Sequence, residues 1–172
     1  MNYSTLLTAG AALLTAACAS TQLVVPDAIQ PATNETLAMT VGARGVQVYE
    51  CRTREDGGGH DWVFVAPDAD LLDAQGKTIG RHGAGPYWQA ADGSRVVGKV
   101  KSRADAPASG SIPWLLLTTK SSGPAGAFSN VTSIQRVNTV GGIAPATPCT
   151  AQLTGTPARV SYTADYRLFI AH

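Results

Sequence analysis

The chain has 172 residues, of which 13 are Lys or Arg and 12 are Asp or Glu, so its formal net charge is +1. This balance argues against a nucleic-acid partner, which needs a basic surface, and it gives no reason to expect a strongly acidic substrate. Charged residues make up 15% of the chain, below the roughly 25% usual in soluble proteins. The length suits one domain with a core of its own.

Residues 1–17 predict an export signal. An apolar stretch from Leu6 to Leu14 is followed by small residues and then by Cys18. Nine residues are too few for a permanent membrane-spanning helix, and the small residues suit a signal peptidase. We therefore expect the mature chain to act outside the cytoplasm.

Two ways of processing this signal remain open. Leu14 to Cys18 approximates a lipobox, in which Cys18 is lipidated and anchors the protein to a membrane. Because Ala19 and Ser20 lack the Asp that favours inner-membrane retention, an outer membrane is then expected. The alternative is ordinary cleavage after Ala19, which would give a periplasmic or extracellular protein. In neither case does the sequence predict any other contact with a membrane.

Residues 18–36 predict a tether, and residues 37–172 predict a single β domain. Gly45–Cys51 is rich in strand-forming residues. Trp62–Val65 is a short apolar run that ends before Pro67, as expected for a strand buried on both faces. The weak helical signal over 67–73 predicts at most a single turn.

The next segments predict hairpins. Gln75-Gly76 and Asp92-Gly93 each separate two runs of strand-forming residues, and Asp-Gly is a strong hairpin signal. Further along, Pro113 marks the start or the edge of a strand, because proline has no N–H to donate. A strand that alternates imperfectly is expected over 129–140.

The last segment has the clearest pattern. Between Val160 and Ile170, apolar and polar residues alternate with period two, which predicts a long half-buried antiparallel strand. No segment has a convincing period of 3.6 residues. The fold class is therefore all-β, either an antiparallel sandwich or a closed barrel.

Cys51 and Cys149 are the cysteines that remain if Cys18 is lipidated or removed. Two thiols in an oxidising compartment most often form a disulfide. The alternative is two buried free thiols. A zinc site is disfavoured, because neither cysteine has a nearby Cys or His at ligand spacing.

The densest cluster of polar and aromatic residues spans 80–94 and contains four glycines. One interpretation is a binding surface in which Tyr87 and Trp88 stack on a ligand, and His82 and Asp92 supply polar contacts. The alternative is a glycine-rich connection whose aromatic rings cover the core and whose Asp92-Gly93 turns a hairpin.

Arg136 lies in an otherwise apolar segment between Ile134 and Val137. Burying an arginine without a partner costs several kcal/mol, so it must face solvent or find a carboxylate. The sequence favours a solvated side chain on a polar face, and Asp165 is the alternative partner. As a binding residue, Arg136 would extend the surface formed by residues 80–94.

Catalytic and cofactor motifs are weak in this sequence. There is no Gly-x-Ser-x-Gly elbow, and the histidines are isolated from one another, so no metal site is predicted. Gly57-Gly58-Gly59 has the wrong spacing for a dinucleotide fingerprint, which argues against a nicotinamide dehydrogenase. No cofactor is predicted.

Five strings in order resemble the secreted family known as domain of unknown function 3455, and they cover about residues 37–169. The resemblance implies an exported single domain without an assigned activity or catalytic residue. It draws attention to His82, Trp88, Asp92, Arg136 and Cys149, on which the strings centre. The strings are GVQVYEC (45–51), HxxGPxWxxxDGS (82–94), IPWLLL (112–117), IQRVNTxGGxAP (134–145) and YTADY (162–166).

Three functions are consistent with these observations. The first is a non-enzymatic binding module for a glycan, a cell-wall fragment or a protein partner. The second is a hydrolase or lyase in which His82 is a general base oriented by Asp92. The third is a purely structural lipoprotein, which would have no sizeable pocket.

Overall fold

A single antiparallel sheet closes on itself to form an eight-stranded barrel in the computed structural model, which describes residues 23–172. Each strand pairs with the next along the chain, and β8 returns to pair with β1. The predicted export signal and Cys18 lie outside the described residues. The strands are β1 (Glu35–Thr53), β2 (His60–Leu72), β3 (Thr78–Gly83), β4 (Tyr87–Ala90), β5 (Arg95–Ala104), β6 (Trp114–Ser121), β7 (Val131–Gly141) and β8 (Pro157–Ala171).

The predicted all-β class is confirmed, and of the two predicted architectures the structure is the closed barrel. Beside the strands it contains two short 3₁₀ turns, Asp27–Ile29 and Ala151–Leu153. Residues 23–172 contain no helix with the length and hydropathy that a membrane crossing requires.

The predicted helical turn over 67–73 is wrong, because β2 continues through Pro67 to Leu72. Proline is tolerated there because the ladder between β2 and β3 begins only at Ala69, so β2 has a strand neighbour on the β1 side alone at Pro67. The expectation that Trp62–Val65 is buried on both faces is also wrong. Phe64 is 49% exposed and Val65 is 45% exposed.

The predicted turn at Asp92-Gly93 joins β4 to β5. The N–H of Gly93 donates to the Ala90 carbonyl at 3.0 Å, and Gly93 has a φ of 86°. This is a three-residue hairpin loop in which only the glycine needs a positive φ. Gln75-Gly76 likewise lies in the turn between β2 and β3.

Alternation along the strands separates an inner face from an outer face. In β8, Tyr162, Ala164, Tyr166 and Leu168 are buried and belong to the core inside the barrel. In β6, Leu117 belongs to that core, whereas Trp114 and Leu116 point the other way into a second cluster.

The second cluster lies on the outer face of the barrel and is covered by the segment before β1. Ile29 is fully buried against Trp114, Leu116 and Val137. The buried Gln135 amide donates to the Ile29 carbonyl at 2.7 Å. Part of the predicted tether therefore packs on the barrel through Leu23, Val25 and Ile29, and its last two residues, 35–36, begin β1.

The predicted disulfide between Cys51 and Cys149 is present, with a Cα–Cα distance of 5.5 Å. It ties β1 to the connection between β7 and β8. Beside it, the Gly155 N–H donates to the Cys51 carbonyl and the Cys51 N–H donates to the Thr156 carbonyl. The bond closes a loop with a sequence separation of 98 residues.

Candidate functional site

A cavity of about 350 Å³ opens at one side of the barrel interior. The barrel wall is low there, because β3 has 6 residues and β4 has 4, whereas β2 has 13. Its volume falls within the range of small-molecule sites, roughly 300–1,000 Å³. The lining residues are Gln47, Phe64, Val65, Pro67, His82, Gly85, Pro86, Trp88, Val100, Leu115, Leu117, Arg136 and Tyr166.

His82 and Trp88 form the cavity wall on β3 and β4, where they are direct cross-strand partners. Their rings stack with centroids 4.2 Å apart, and the Tyr166 ring meets the imidazole edge-on at 5.1 Å. His82 Nδ1 lies 2.7 Å from the Tyr87 carbonyl oxygen. Because a carbonyl only accepts, Nδ1 carries the proton and Nε2 is left as an acceptor.

His82 is neutral at ordinary pH. Burial lowers the pKa of its imidazole from 6.5 to about 3, and the nearby Arg136 guanidinium acts in the same direction. A general base works best with a pKa close to the working pH. This environment therefore suits a hydrogen-bonding contact better than proton transfer.

Arg136 faces the inside of the barrel. It lies between Leu115 on β6 and Tyr166 on β8 in the strand register, and all three line the cavity. Its Nε and Nη2 donate to the Pro113 carbonyl at 3.0 and 2.8 Å. The expected solvated arginine is therefore wrong. Arg136 lies two residues after the core residue Ile134 on β7, so both side chains point to the inner face of the barrel.

The alternative partner, Asp165, does not contact Arg136. Its carboxylate accepts a hydrogen bond of 2.7 Å from the Asn138 amide. Among the ion pairs of residues 23–172 none includes Arg136. The guanidinium is half-buried and is held by a neutral carbonyl.

Tyr166 lines the cavity beside Arg136, and Tyr162 lies next to it in the buried core. The hydroxyls of Tyr162 and Tyr166 are 3.4 Å apart in the buried interior. Burial raises the pKa of both phenols, and the Arg136 guanidinium opposes that rise. Both side chains stay neutral at ordinary pH, so Arg136 is the one charged group among the lining residues.

Two further donors at the cavity have no protein partner. Gln47 is 2% exposed and Trp88 is 1% exposed. Within the described chain, Gln47 Nε2 and Trp88 Nε1 donate to no acceptor. Buried polar groups are nearly always hydrogen-bonded, so two unpartnered donors on residues that line the cavity are exceptional.

Tyr87 and Asp92 lie away from the cavity. The Tyr87 ring packs under the Arg95 guanidinium, 4.0 Å from its centroid. The Asp92 carboxylate accepts hydrogen bonds from Ser94 and from the Ala127 N–H. These bonds lower the pKa of the Asp92 carboxyl and fasten the β4–β5 turn to a neighbouring loop.

His82 and Asp92 are therefore not brought together. His82 lies beside the turn between β3 and β4, and Asp92 lies in the turn at the other end of β4. No hydrogen bond joins them, since each has the different partners described above. The structure gives Asp92 no role in orienting the imidazole.

Sequence reasoning missed Gln47 and the apolar mouth formed by Phe64, Val65 and Val100. The sequence pattern of β1 could have identified Gln47. It is separated from the buried residues Val41, Ala43 and Tyr49 by even numbers of residues, so its side chain points to the same buried face. A polar side chain at a position where its neighbours are buried often contributes to a site. The exposed mouth has no local signal, since its residues have the apolar pattern of a core strand.

Metal binding finds no support in the described part of the chain. Residues 23–172 bring together no group of three or more His, Cys, Asp or Glu side chains that could hold a metal ion. The site is instead an apolar cavity with one cation and several neutral hydrogen-bonding groups.

In comparisons with known proteins, the chain matches one family model. A family model described as "Protein of unknown function (DUF3455)" matches residues 31–170. No curated protein and no solved structure matches the chain. The match spans all eight strands but for the end of β8, and so the chain belongs to the DUF3455 family.

Proposed function

We propose that the protein is a non-enzymatic binding module that holds a compact, largely apolar small molecule inside its barrel. The observation that carries this proposal is the cavity of about 350 Å³, walled by aromatic and aliphatic side chains with a few convergent polar groups. Such a combination is typical of small-molecule sites. Eight-stranded barrels also have an interior wide enough for one small ligand.

The cavity favours an apolar ligand over the glycan suggested by the sequence. A glycan presents many hydroxyls, and each needs a hydrogen-bond partner when it is buried. Most of the lining side chains are hydrocarbon, including Leu115, Leu117 and Val100. A largely apolar ligand needs only the few polar contacts that the wall provides.

The other two functions have less support. The hydrolase needs His82 and Asp92 in contact, and each is hydrogen-bonded elsewhere. The purely structural protein was expected to have no sizeable pocket, which the cavity argues against. Export remains part of the proposal, supported by the Cys51–Cys149 disulfide, which suits an oxidising compartment. Mass spectrometry of the mature N-terminus tests export and lipidation of Cys18.

Titration of the purified protein with N-phenyl-1-naphthylamine, a neutral apolar fluorophore, tests the binding function. We expect a saturable rise in fluorescence. Leu115→Trp, which fills the cavity, is expected to weaken binding at least about tenfold. Ile143→Trp is the matched control, because Ile143 is 48% exposed and does not line the cavity.

A second variant covers the case in which Leu115→Trp disturbs folding. Val100 lies at the mouth and is 51% exposed, so Val100→Trp narrows the entrance with little effect on packing. Thermal melting of each variant checks its fold. Absence of saturable binding by the wild type, or equal affinity of folded Leu115→Trp or Val100→Trp and the wild type, would overturn the proposal.

A further inference from the structure

Arg136 carries the single charge among the described residues that line the cavity. Its guanidinium lines the cavity and is half-buried, and no carboxylate of the described residues pairs with it. Arginine has five N–H groups, and the bonds to the Pro113 carbonyl use only Nε and one hydrogen of Nη2. A further N–H group donates to the Tyr166 hydroxyl, so two N–H groups remain for another acceptor.

The surroundings of Arg136 are neutral. Its register neighbours are Leu115 and Tyr166, and the His82 imidazole in the same cavity is uncharged. Asp68 and Asp70, the acidic residues nearest the cavity in sequence, pair with Arg81 and Arg159 on the exposed side. Among the described residues, no acidic side chain lines the cavity to compete with an incoming anion for the guanidinium.

Two further residues with unpartnered donors, Gln47 and Trp88, line the same cavity. Gln47 Nε2 and Trp88 Nε1 are buried and donate to no acceptor of the described chain. Both are N–H groups and can only donate, so they match a ligand that accepts hydrogen bonds. A carboxylate has two such oxygens and forms its strongest hydrogen bonds with arginine.

Resting on the binding function above, we propose that the cavity selects a compact amphiphile with one carboxylate, and that Arg136 contacts that carboxylate. Gln47 and Trp88 act as neutral donors for the same molecule. Leu115, Leu117 and Val100 contact its hydrocarbon part. A polyanion is disfavoured, because the cavity provides a single cation.

The cavity also limits the size of the ligand. A volume of about 350 Å³ corresponds to roughly a dozen groups of the size of a water molecule, each taking about 30 Å³. A medium-chain carboxylate such as decanoate has this size. The exposed Phe64 and Val65 at the mouth suit the end of such a chain.

Decanoate and 1-decanol have the same ten-carbon chain, but only decanoate is charged. Displacement of N-phenyl-1-naphthylamine by each of them, at concentrations below micelle formation, therefore separates the contribution of the carboxylate from that of the hydrocarbon chain. We expect the wild type to prefer decanoate by about tenfold or more, as for a hydrogen bond to a charged group. Arg136→Gln is expected to bind both equally, and Arg136→Lys to keep part of the preference. Lys99→Gln removes an exposed charge outside the cavity and is expected to behave as the wild type.

The outcomes distinguish this proposal from the one on which it rests. If the fluorophore binds and both competitors displace it equally from the wild type, the cavity binds apolar molecules without selecting a carboxylate, and this proposal alone is overturned. If Arg136→Gln keeps the full preference, the anion contact is not Arg136. If the fluorophore does not bind at all, both proposals fail.

Discussion

The imidazole of His82 lies flat against the indole of Trp88, with ring centroids 4.2 Å apart and ring planes inclined by 19°. This pair encloses the imidazole, and burial lowers its pKa from 6.5 to about 3. A folded-state pKa below the unfolded value means that the unfolded chain binds the proton first. Stability that is present above pH 6.5 is therefore lost as the pH falls toward 3.

We expect the free energy of unfolding to fall by about 2 kcal/mol between pH 6.5 and 4.5 because of His82. Carboxyls whose pKa is lowered in the folded protein, such as Glu35 and Asp68, lose their contribution only as the pH falls below their ordinary values of 4.5 and 3.8, at or below the end of this window. His82→Asn keeps an amide donor for the Tyr87 carbonyl but does not titrate, so its stability should stay nearly level. Urea unfolding at several pH values measures this, and equal slopes for both proteins would contradict the assignment.

The disulfide between Cys51 and Cys149 supports the closed barrel. It joins residues 98 apart in sequence, and a loop of that length corresponds to about 4.7 kcal/mol in the chain-entropy model. We expect the Cys51→Ala/Cys149→Ala variant to lose about 2–5 kcal/mol, measured by urea unfolding. A reducing agent should destabilise the wild type by a similar amount and leave the variant unchanged. A wild type that is insensitive to reduction would contradict this expectation.

Two glycines of β1 provide a matched test of the contact between β1 and β2. A Cβ atom at Gly45 would collide with the Asp68 carbonyl oxygen and the Ala69 Cα, whereas the nearest atom to a Cβ at Gly42 is 3.7 Å away. We expect Gly45→Ala to lose more than about 3 kcal/mol or to fail to fold, because backbone atoms cannot give way. Gly42→Ala should melt close to the wild type. Similar melting of both variants would show that the strands are not in this register.

Asp92 tests whether the turn between β4 and β5 is structural. Its carboxylate holds Ser94 and the Ala127 N–H. We expect Asp92→Ala to lower the melting temperature and to leave the affinity for N-phenyl-1-naphthylamine unchanged. Asp56→Ala, which removes a similar carboxylate contact to Gly58 in an exposed loop, is the control. A loss of affinity in folded Asp92→Ala would return Asp92 to the binding site.

Much of the fold could be predicted from the sequence because period-two alternation is a local property. The long strand β8 and the hairpin at Asp92-Gly93 follow from neighbouring residues alone. Pro67 could not be interpreted locally, because its tolerance depends on β3 ending before it reaches that level of β2. The same missing neighbour leaves Phe64 and Val65 exposed in what looks like a core strand.

The site could be predicted only in part. The sequence identifies His82 and Trp88 because they are cross-strand partners within one short hairpin and are therefore close in sequence. The sequence identifies Arg136 but favours the wrong face for it, because the Pro113 carbonyl that accepts its hydrogen bonds is brought there only by the fold. Gln47 joins the cavity through barrel closure, which brings together strands far apart in sequence.

The indole N–H signals of the three tryptophans, observed by NMR during a titration with decanoate, test the central claim most directly. Trp88 lines the cavity, whereas Trp62 donates to the Thr147 carbonyl and Trp114 packs in the outer cluster. We expect the Trp88 signal to shift and saturate while the other two stay in place. A Trp88 signal that does not move, or a saturable shift confined to Trp62 or Trp114, would contradict ligand binding inside the barrel.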